Sequence, residues 1–305
     1  MAKFAKRIIC TYLYIISKYG YPPPARDTLM HLEEMKNLGF QSVELEGIRE
    51  EHLSEIYNLR AKIQTQLQKL HLEVPFFCIV LPGLSSLDPA IRQRNLDLFR
   101  LGCETAADIG ASGVLDNAPL PPYRFPANIP VVRHYDQDVL MQATIPADID
   151  WDDYWSALCA TYREACDIAG DFSLTYAMHP CLGVLAASAD AFRQFSTSVD
   201  RPNLRFNLDT ANQYMMKENI NLALLRLKKF VDYIHISDNR GQKVEHLQPG
   251  KGTIPWGSFF QMLNQVGFNG HLGLDIGGEE SHIPDLDKAY TESAIWLQDW
   301  LNNPL

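Results

Sequence analysis

Leu204-Arg205-Phe206-Asn207-Leu208-Asp209, Val231-Asp232-Tyr233-Ile234-His235-Ile236-Ser237 and His271-Leu272-Gly273-Leu274-Asp275-Ile276 are the three stretches on which the fold turns. Each is short, mostly apolar or β-branched, and closes on polar groups, as a parallel strand buried on both faces should. Helix-period stretches near residues 219–229, 256–266 and 286–301 follow them in turn. The same rhythm runs back to the N-terminus. Strands are predicted at 8–14, 42–47, 74–81, 113–118 and 173–179, and helices at 27–38, 49–70, 88–109, 151–169 and 187–197. Asp27 and Asp88 are placed to cap helix starts, and Gly39 and Gly110 to end helices. Eight β/α units in roughly 300 residues predict an α/β fold, a (β/α)8 barrel formed as one domain over residues 1–305. An open doubly wound sheet would want a GxGxxG turn after the first strand, and none is present. The proline-rich segment 119–150 is too long for an ordinary βα connection and reads as an irregular lid or rim insertion.

Composition narrows the function classes. The chain has 305 residues with 27 Lys+Arg against 37 Asp+Glu, a formal charge of −10, which argues against nucleic acid or an anionic membrane as partner. Cys10, Cys78, Cys103, Cys159, Cys166 and Cys181 form no CxxC pair and lie mostly in apolar runs, as reduced thiols of a cytoplasmic protein do. Lys3, Lys6 and Arg7 before an apolar stretch imitate a signal peptide, but no small-residue cleavage site follows and Lys18 arrives early. No apolar run reaches the ~18 residues of a membrane span.

Barrel strands carry function at their carboxyl ends. Glu44 and Glu46 lie two apart on the second strand, so they share a face, and with Val43 and Leu45 toward the helices both carboxylates face the interior. Asp116 ends the fourth strand, His179 the fifth, Asp209 the sixth, His235 and Asp238 the seventh, and Asp275 the eighth. Singly, each has an ordinary explanation as a helix cap or a satisfied core histidine. Together, Asp209, His235 and Asp275 sit at equivalent ends of consecutive strands ~4.8 Å apart and can converge on one point. Two carboxylates and an imidazole suit a divalent ion such as Mn, Co, Mg or Zn. Without a cation the carboxylates would repel one another.

A second patch follows the seventh strand: His246, then Pro249-Gly250-Lys251-Gly252-Thr253-Ile254-Pro255-Trp256. Its glycines allow close backbone approach, and Lys251 could attract a phosphate or carboxylate; a tight connecting turn with a solvated lysine explains it equally well. It is not a nucleotide-binding P-loop. His134-Tyr135-Asp136 in the long segment could cap a pocket, Tyr12 and Tyr14 could line the mouth, and Glu279-Glu280 with His282 reads as surface loop.

His235-Ile236-Ser237-Asp238-Asn239-Arg240, with the Pro249–Trp256 stretch, resembles the xylose isomerase-like TIM barrels, and more narrowly the sugar phosphate isomerase/epimerase family that includes the ketose 3-epimerases. Asn207-Leu208-Asp209-Thr210, Leu274-Asp275 and Gly39-Phe40-Gln41-Ser42-Val43-Glu44-Leu45 fit the same pattern in order. The resemblance implies a divalent metal held by Glu from strand five, Asp from six, His from seven and Glu from eight. The last three map to Asp209, His235 and Asp275, the last one methylene shorter than the family's Glu. At strand five Ala177 stands where the Glu should be, and alanine neither ligates nor moves a proton. His179, two residues on and on the same face, is the implied substitute as ligand or base. Asn212 stands where many members have His.

The reading that follows is a metal-dependent isomerase, epimerase or related dehydratase, acting on a sugar, sugar phosphate or cyclitol by proton abstraction beside a carbonyl. Asp275, Glu44 and His179 are the catalytic candidates. Asp209, His235, Asp275 and His179 are the metal candidates. Glu46, Asp116, Asp238, Arg240, Lys251 and Trp256 are the substrate-binding candidates, and a homo-oligomer is left open. Ala177 motivates the alternative, a sugar-binding or pathway-assembly protein without turnover. The endonuclease IV branch of the superfamily is disfavoured by the missing strand-end histidines and by the charge.

Overall fold

The computed structural model describes residues 3–129 and 135–303. Nine strands form one parallel sheet: β1 (Ile8–Cys10), β2 (Ser42–Val43), β3 (Leu45–Ile48), β4 (Phe76–Val80), β5 (Gly113–Asn117), β6 (Thr175–His179), β7 (Leu204–Asp209), β8 (Tyr233–Ile236) and β9 (His271–Leu274). Their order is β2-β1-β9-β8-β7-β6-β5-β4-β3. β2 pairs with β1 and β3 with β4, yet only Glu44 separates β2 from β3. The stretch 42–48 is therefore one stave whose two halves face different neighbours, and it joins the two ends of the sheet. The Glu44 amide continues the ladder by donating to Cys10 O (2.9 Å). The result is a TIM barrel of eight staves in a single domain.

The helices follow the staves as expected, and one begins where the sequence placed a cap. Asp88 accepts from the Ala90 amide at the start of Pro89–Asp108; Asp150, not named as a cap from the sequence, accepts from the Asp153 amide at the start of Trp151–Asp171. Asp27 stands at the cap position of Thr28–Asn37, but its side chain makes no capping bond.

Two elements differ from the expectation. Residues 8–14 were expected as one strand, yet β1 stops at Cys10 and Leu13–Tyr19 is a helix with Leu13, Tyr14, Ile15 and Ile16 buried. A short, wholly apolar run carries no period to tell strand from helix. Tyr12 and Tyr14 are thus buried, and the Tyr14 hydroxyl donates to Asp287 (2.6 Å). A further helix, Thr210–Met215, starts directly at Asp209, leaving no loop after β7.

Residues 119–129 and 135–150 follow β5 and include the short helix Gln137–Leu140 and an antiparallel bridge between Arg124 and Thr144. They lie against the loop after β6: Leu185 N donates to Pro119 O (2.8 Å), and Leu140 packs where a Cβ on Gly183 would stand. His134 lies outside the described residues. Among the described residues no helix is long and apolar enough to cross a membrane.

Candidate functional site

The register of the late strands assembles the site. Asp209 on β7 lies opposite His235 on β8, and His235 opposite Gly273 on β9. Asp275, two residues past Gly273, returns to the same face. His179 ends β6 next door. One ligand atom from each of His179, Asp209, His235 and Asp275 can be chosen so that all lie within 4.8 Å of one another, and all four residues are buried.

Asp209 serves two partners at once. Its Oδ1 accepts from the Asn212 amide (2.7 Å), capping Thr210–Met215. Its Oδ2 faces inward, 3.2 Å from His179 Nε2 and 3.7 Å from His235 Nδ1. Asp275 Oδ2 lies 3.8 Å from the same His235 Nδ1, and Thr11 Oγ1 stands 2.9 Å from Asp275 Oδ1. On the other edge of the ring, His235 Nε2 is 3.3 Å from Glu44 Oε2. His246 approaches from the second patch, with Nε2 3.8 Å from Asp275 Oδ2 and Nδ1 3.1 Å from Glu280 Oε1.

The two inner imidazoles are driven apart. Burial disfavours a charged His235, but Asp275, Glu44 and Asp209 outweigh it and raise its pKa to about 9. Burial dominates at His179 and lowers its pKa despite Asp209, so this ring is neutral at pH 7 and has a lone pair to offer. At Asp209 burial works upward, but the His179 contact prevails and holds the carboxyl below its usual range.

The residues fit a divalent cation. His235 Nδ1 and His179 Nδ1 are buried and make no hydrogen bond, an arrangement that ordinarily calls for a partner. His235 Nδ1 is too far from both carboxylates to bond with either, yet faces the space between them. Two carboxylate oxygens and two imidazole nitrogens are a donor set suited to Mn, Co or Zn, less so to Mg.

The other sequence candidates are placed elsewhere. Glu46 shares the inward face of its stave with Glu44 but is not one of the four grouped residues. Asp116, expected at the substrate, faces the helix layer: Tyr176 donates to it (3.3 Å), and Tyr176 packs on Phe99 and Tyr162 of two outer helices. Burial pushes the Asp116 carboxyl well up. Asp238 and Trp256, also expected at the substrate, hold the loop between β8 and Trp256–Val266 together. The Asp238 carboxylate accepts from the amides of Asn239 (2.9 Å), Gly250 (2.7 Å) and Ile254 (3.1 Å) and from Trp256 Nε1 (3.0 Å). Gly252 is required there, since a Cβ would lie 2.3 Å from Asp238 Oδ1. Arg240 is paired with Glu245 (2.8 Å), and Lys251 is exposed.

Thr11, Tyr233 and the His246–Glu280 pair were not singled out as site residues by the sequence. Tyr233 could have been, because it precedes His235 by two and so shares its face. Thr11 is the first polar residue beyond β1, where the strand-end rule applies equally. Glu280 carried no local signal.

A family model described as the xylose isomerase-like TIM barrel matches residues 32–300. A ketose 3-epimerase from Arthrobacter globiformis is 22% identical over 223 residues, 72% of this chain and 67% of that protein. A fructoselysine 3-epimerase from Escherichia coli O157:H7 is 20% identical over 193 residues, 62% of this chain and 61% of that one, so that match spans less than two thirds of its length. Among solved structures, an L-ribulose 3-epimerase is similar with a TM-score of 0.73 at 17% identity, covering 100% of this chain and 96% of that one. A 3-keto-D-glucoside 4-epimerase from E. coli gives 0.71 at 17% identity, covering 97% and 100%.

Proposed function

The chain belongs to the xylose isomerase-like TIM barrel family, and on that premise we propose that it is a divalent-metal-dependent isomerase or epimerase. Its substrate is a sugar or sugar-like molecule, and it moves a proton on a carbon next to a carbonyl. The observation that carries this reading is the buried convergence of His179, Asp209, His235 and Asp275. Asp209, His235 and Asp275 would hold the cation, with His179 beside them as a fourth donor or as a base. Bound there, a divalent ion supplies Lewis-acid polarisation of a carbonyl oxygen.

The chain's own groups then account for the proton. Asp275, steadied by Thr11, is the carboxylate available in the family position. His179 stands two residues beyond Ala177 on the same face; its neutral ring has one lone pair, which serves as the proton acceptor where it is not given to the cation. β6 and β9 flank β7 and β8, so His179 and Asp275 reach the site from opposite sides. That arrangement suits withdrawal and return on different faces of a substrate. The described residues 119–129 and 135–150, which follow β5, are the natural rim of this mouth.

Calorimetric titration with Mn²⁺ tests the site, and proton exchange into a panel of ketoses and aldoses in D₂O, followed by NMR, tests the chemistry. Stoichiometric binding that is lost in Asp209→Ala, with exchange into at least one sugar, is expected. No binding by the wild type, or unchanged binding in the variant, removes the reading. Ala177, fully buried on β6, favours a second reading, a sugar-binding protein without turnover. Cation and sugar binding with no exchange into any sugar would select it.

A further inference from the structure

Glu44, a catalytic candidate by sequence, stands behind the cluster rather than in it. Its Oε2 accepts from the Tyr233 hydroxyl (2.9 Å) and lies 3.3 Å from His235 Nε2. Both contacts are on the far edge of the imidazole. Nδ1, on the near edge, has no hydrogen-bond partner and faces Asp209 and Asp275. We propose that Glu44 and Tyr233 are positioning residues, which hold His235 with Nε2–H toward Glu44 and the Nδ1 lone pair toward a cation between Asp209 and Asp275. The inference rests on the reading of that cluster as a divalent-cation site.

The surroundings are built for this task. A carboxylate behind a ligating imidazole fixes its tautomer and orientation and strengthens it as a donor. Glu44 is almost wholly buried, and its Oε1 meets the Tyr12 amide at 3.4 Å, so the side chain has protein partners on both oxygens. The Tyr233 ring stacks on Phe76 at 4.3 Å and 5°, which fixes the direction of its hydroxyl. Room for that hydroxyl depends on Gly273, because a Cβ there would lie 2.5 Å from Tyr233 Oη. A side chain engaged in this way is ill placed to take a proton from a substrate at the other edge of His235.

The test is Co²⁺ affinity, with the visible d–d spectrum as a second readout, in wild type, Glu44→Ala, Glu44→Gln and Tyr233→Phe. Each substitution is also made in a His235→Ala background, so that the pairwise effect is isolated. Glu44→Ala should weaken Co²⁺ by on the order of 10- to 100-fold, the range for removing a partner behind a metal ligand. Glu44→Gln still accepts from Nε2–H and should recover part of the loss. Tyr233→Phe keeps the ring stack, should lose less than Glu44→Ala, and serves if the Glu44 variants do not fold. All three should shift the d–d bands, and none should weaken binding further once His235 is gone. A loss that persists in full without His235 makes Glu44 a ligand in its own right and overturns the inference. Wild-type affinity and an unshifted spectrum overturn it while leaving the cation site standing. If the His235→Ala protein binds too weakly to measure, the spectrum of Tyr233→Phe decides by the same criterion. A wild type that binds neither Co²⁺ nor Mn²⁺ overturns both the inference and the functional reading.

Discussion

Two regions of the barrel mouth looked alike in the sequence and differ in kind. Asp238, with the loop 249–256, and Asp209, with His235 and Asp275, are all polar strand-end groups in or beside the stretches that carry the family resemblance. In the loop, Asp238 meets four N–H donors and its carboxylate is saturated. In the cluster, Asp209 gives one oxygen to a helix start and turns the other toward imidazoles, and two buried ring nitrogens make no hydrogen bond. A buried carboxylate with all its partners is spent on architecture, whereas unpartnered ring nitrogens that converge with carboxylates leave donor capacity for a ligand. The contrast separates residues that hold the loop from residues that could hold a metal ion.

The largest break in this comparison should come from Asp238→Ala. It leaves four donors without an acceptor and should cost about 3–5 kcal/mol of stability, read by urea denaturation. If the chain folds, Mn²⁺ affinity should hold; a selective loss of affinity with unchanged stability would place Asp238 in the site instead. Asp209→Asn tests the opposite side. Asparagine can still cap Thr210–Met215, so stability should change by less than about 1 kcal/mol. Mn²⁺ affinity should fall on the order of a hundredfold, since losing a ligand matters at least as much as losing its supporting partner. Equal affinity in calorimetry would assign Asp209 to capping alone.

A proton sharpens the contrast further. In the cation-free protein His235 stays charged up to about pH 9, because the carboxylates Asp275, Glu44 and Asp209 outweigh the burial that opposes it. This folded pKa is above the ~6.5 of an unfolded histidine, so its stabilisation is complete below about pH 6.5 and is lost as pH rises through 9. A cation must displace the Nδ1 proton, so affinity should move the other way, rising about tenfold per pH unit toward 9. Calorimetry in buffers of different ionisation enthalpy should count about one proton released, and a count of zero would remove His235 from the ligand set. The smallest effect belongs to Lys251→Ala. This exposed side chain of the architectural loop should change stability by less than about 0.5 kcal/mol and leave Mn²⁺ affinity unaltered. A KM increase confined to phosphorylated substrates would give it a function after all.

Much of the fold was legible because its signals are local. Strand β7 and the helices Arg49–Leu70 and Trp256–Val266 fall where period and flanking residues put them. The failures are where local signals run out. The apolar run after Ile8 carried no period, and the helix at Thr210 was hidden because its cap is the strand's last residue. At the site, residue type and strand-end position were enough to name Asp209, His235 and Asp275, and the family resemblance added His179. Type and position were equally favourable for Asp116, which faces the helices, and for Asp238, which holds a loop.

The sequence by itself determined the alternation of eight strands with their main helices and which polar residues stand at the carboxyl ends, since period, caps and residue type act over a few neighbouring positions. Only the tertiary structure decided which of those residues are left with an unanswered nitrogen or oxygen. Glu44 meets His235 across 191 residues of chain, and Thr11 meets Asp275 across 264. Those partners are brought together by barrel closure, and a hydrogen bond depends on distances of a few tenths of an ångström that no local pattern encodes.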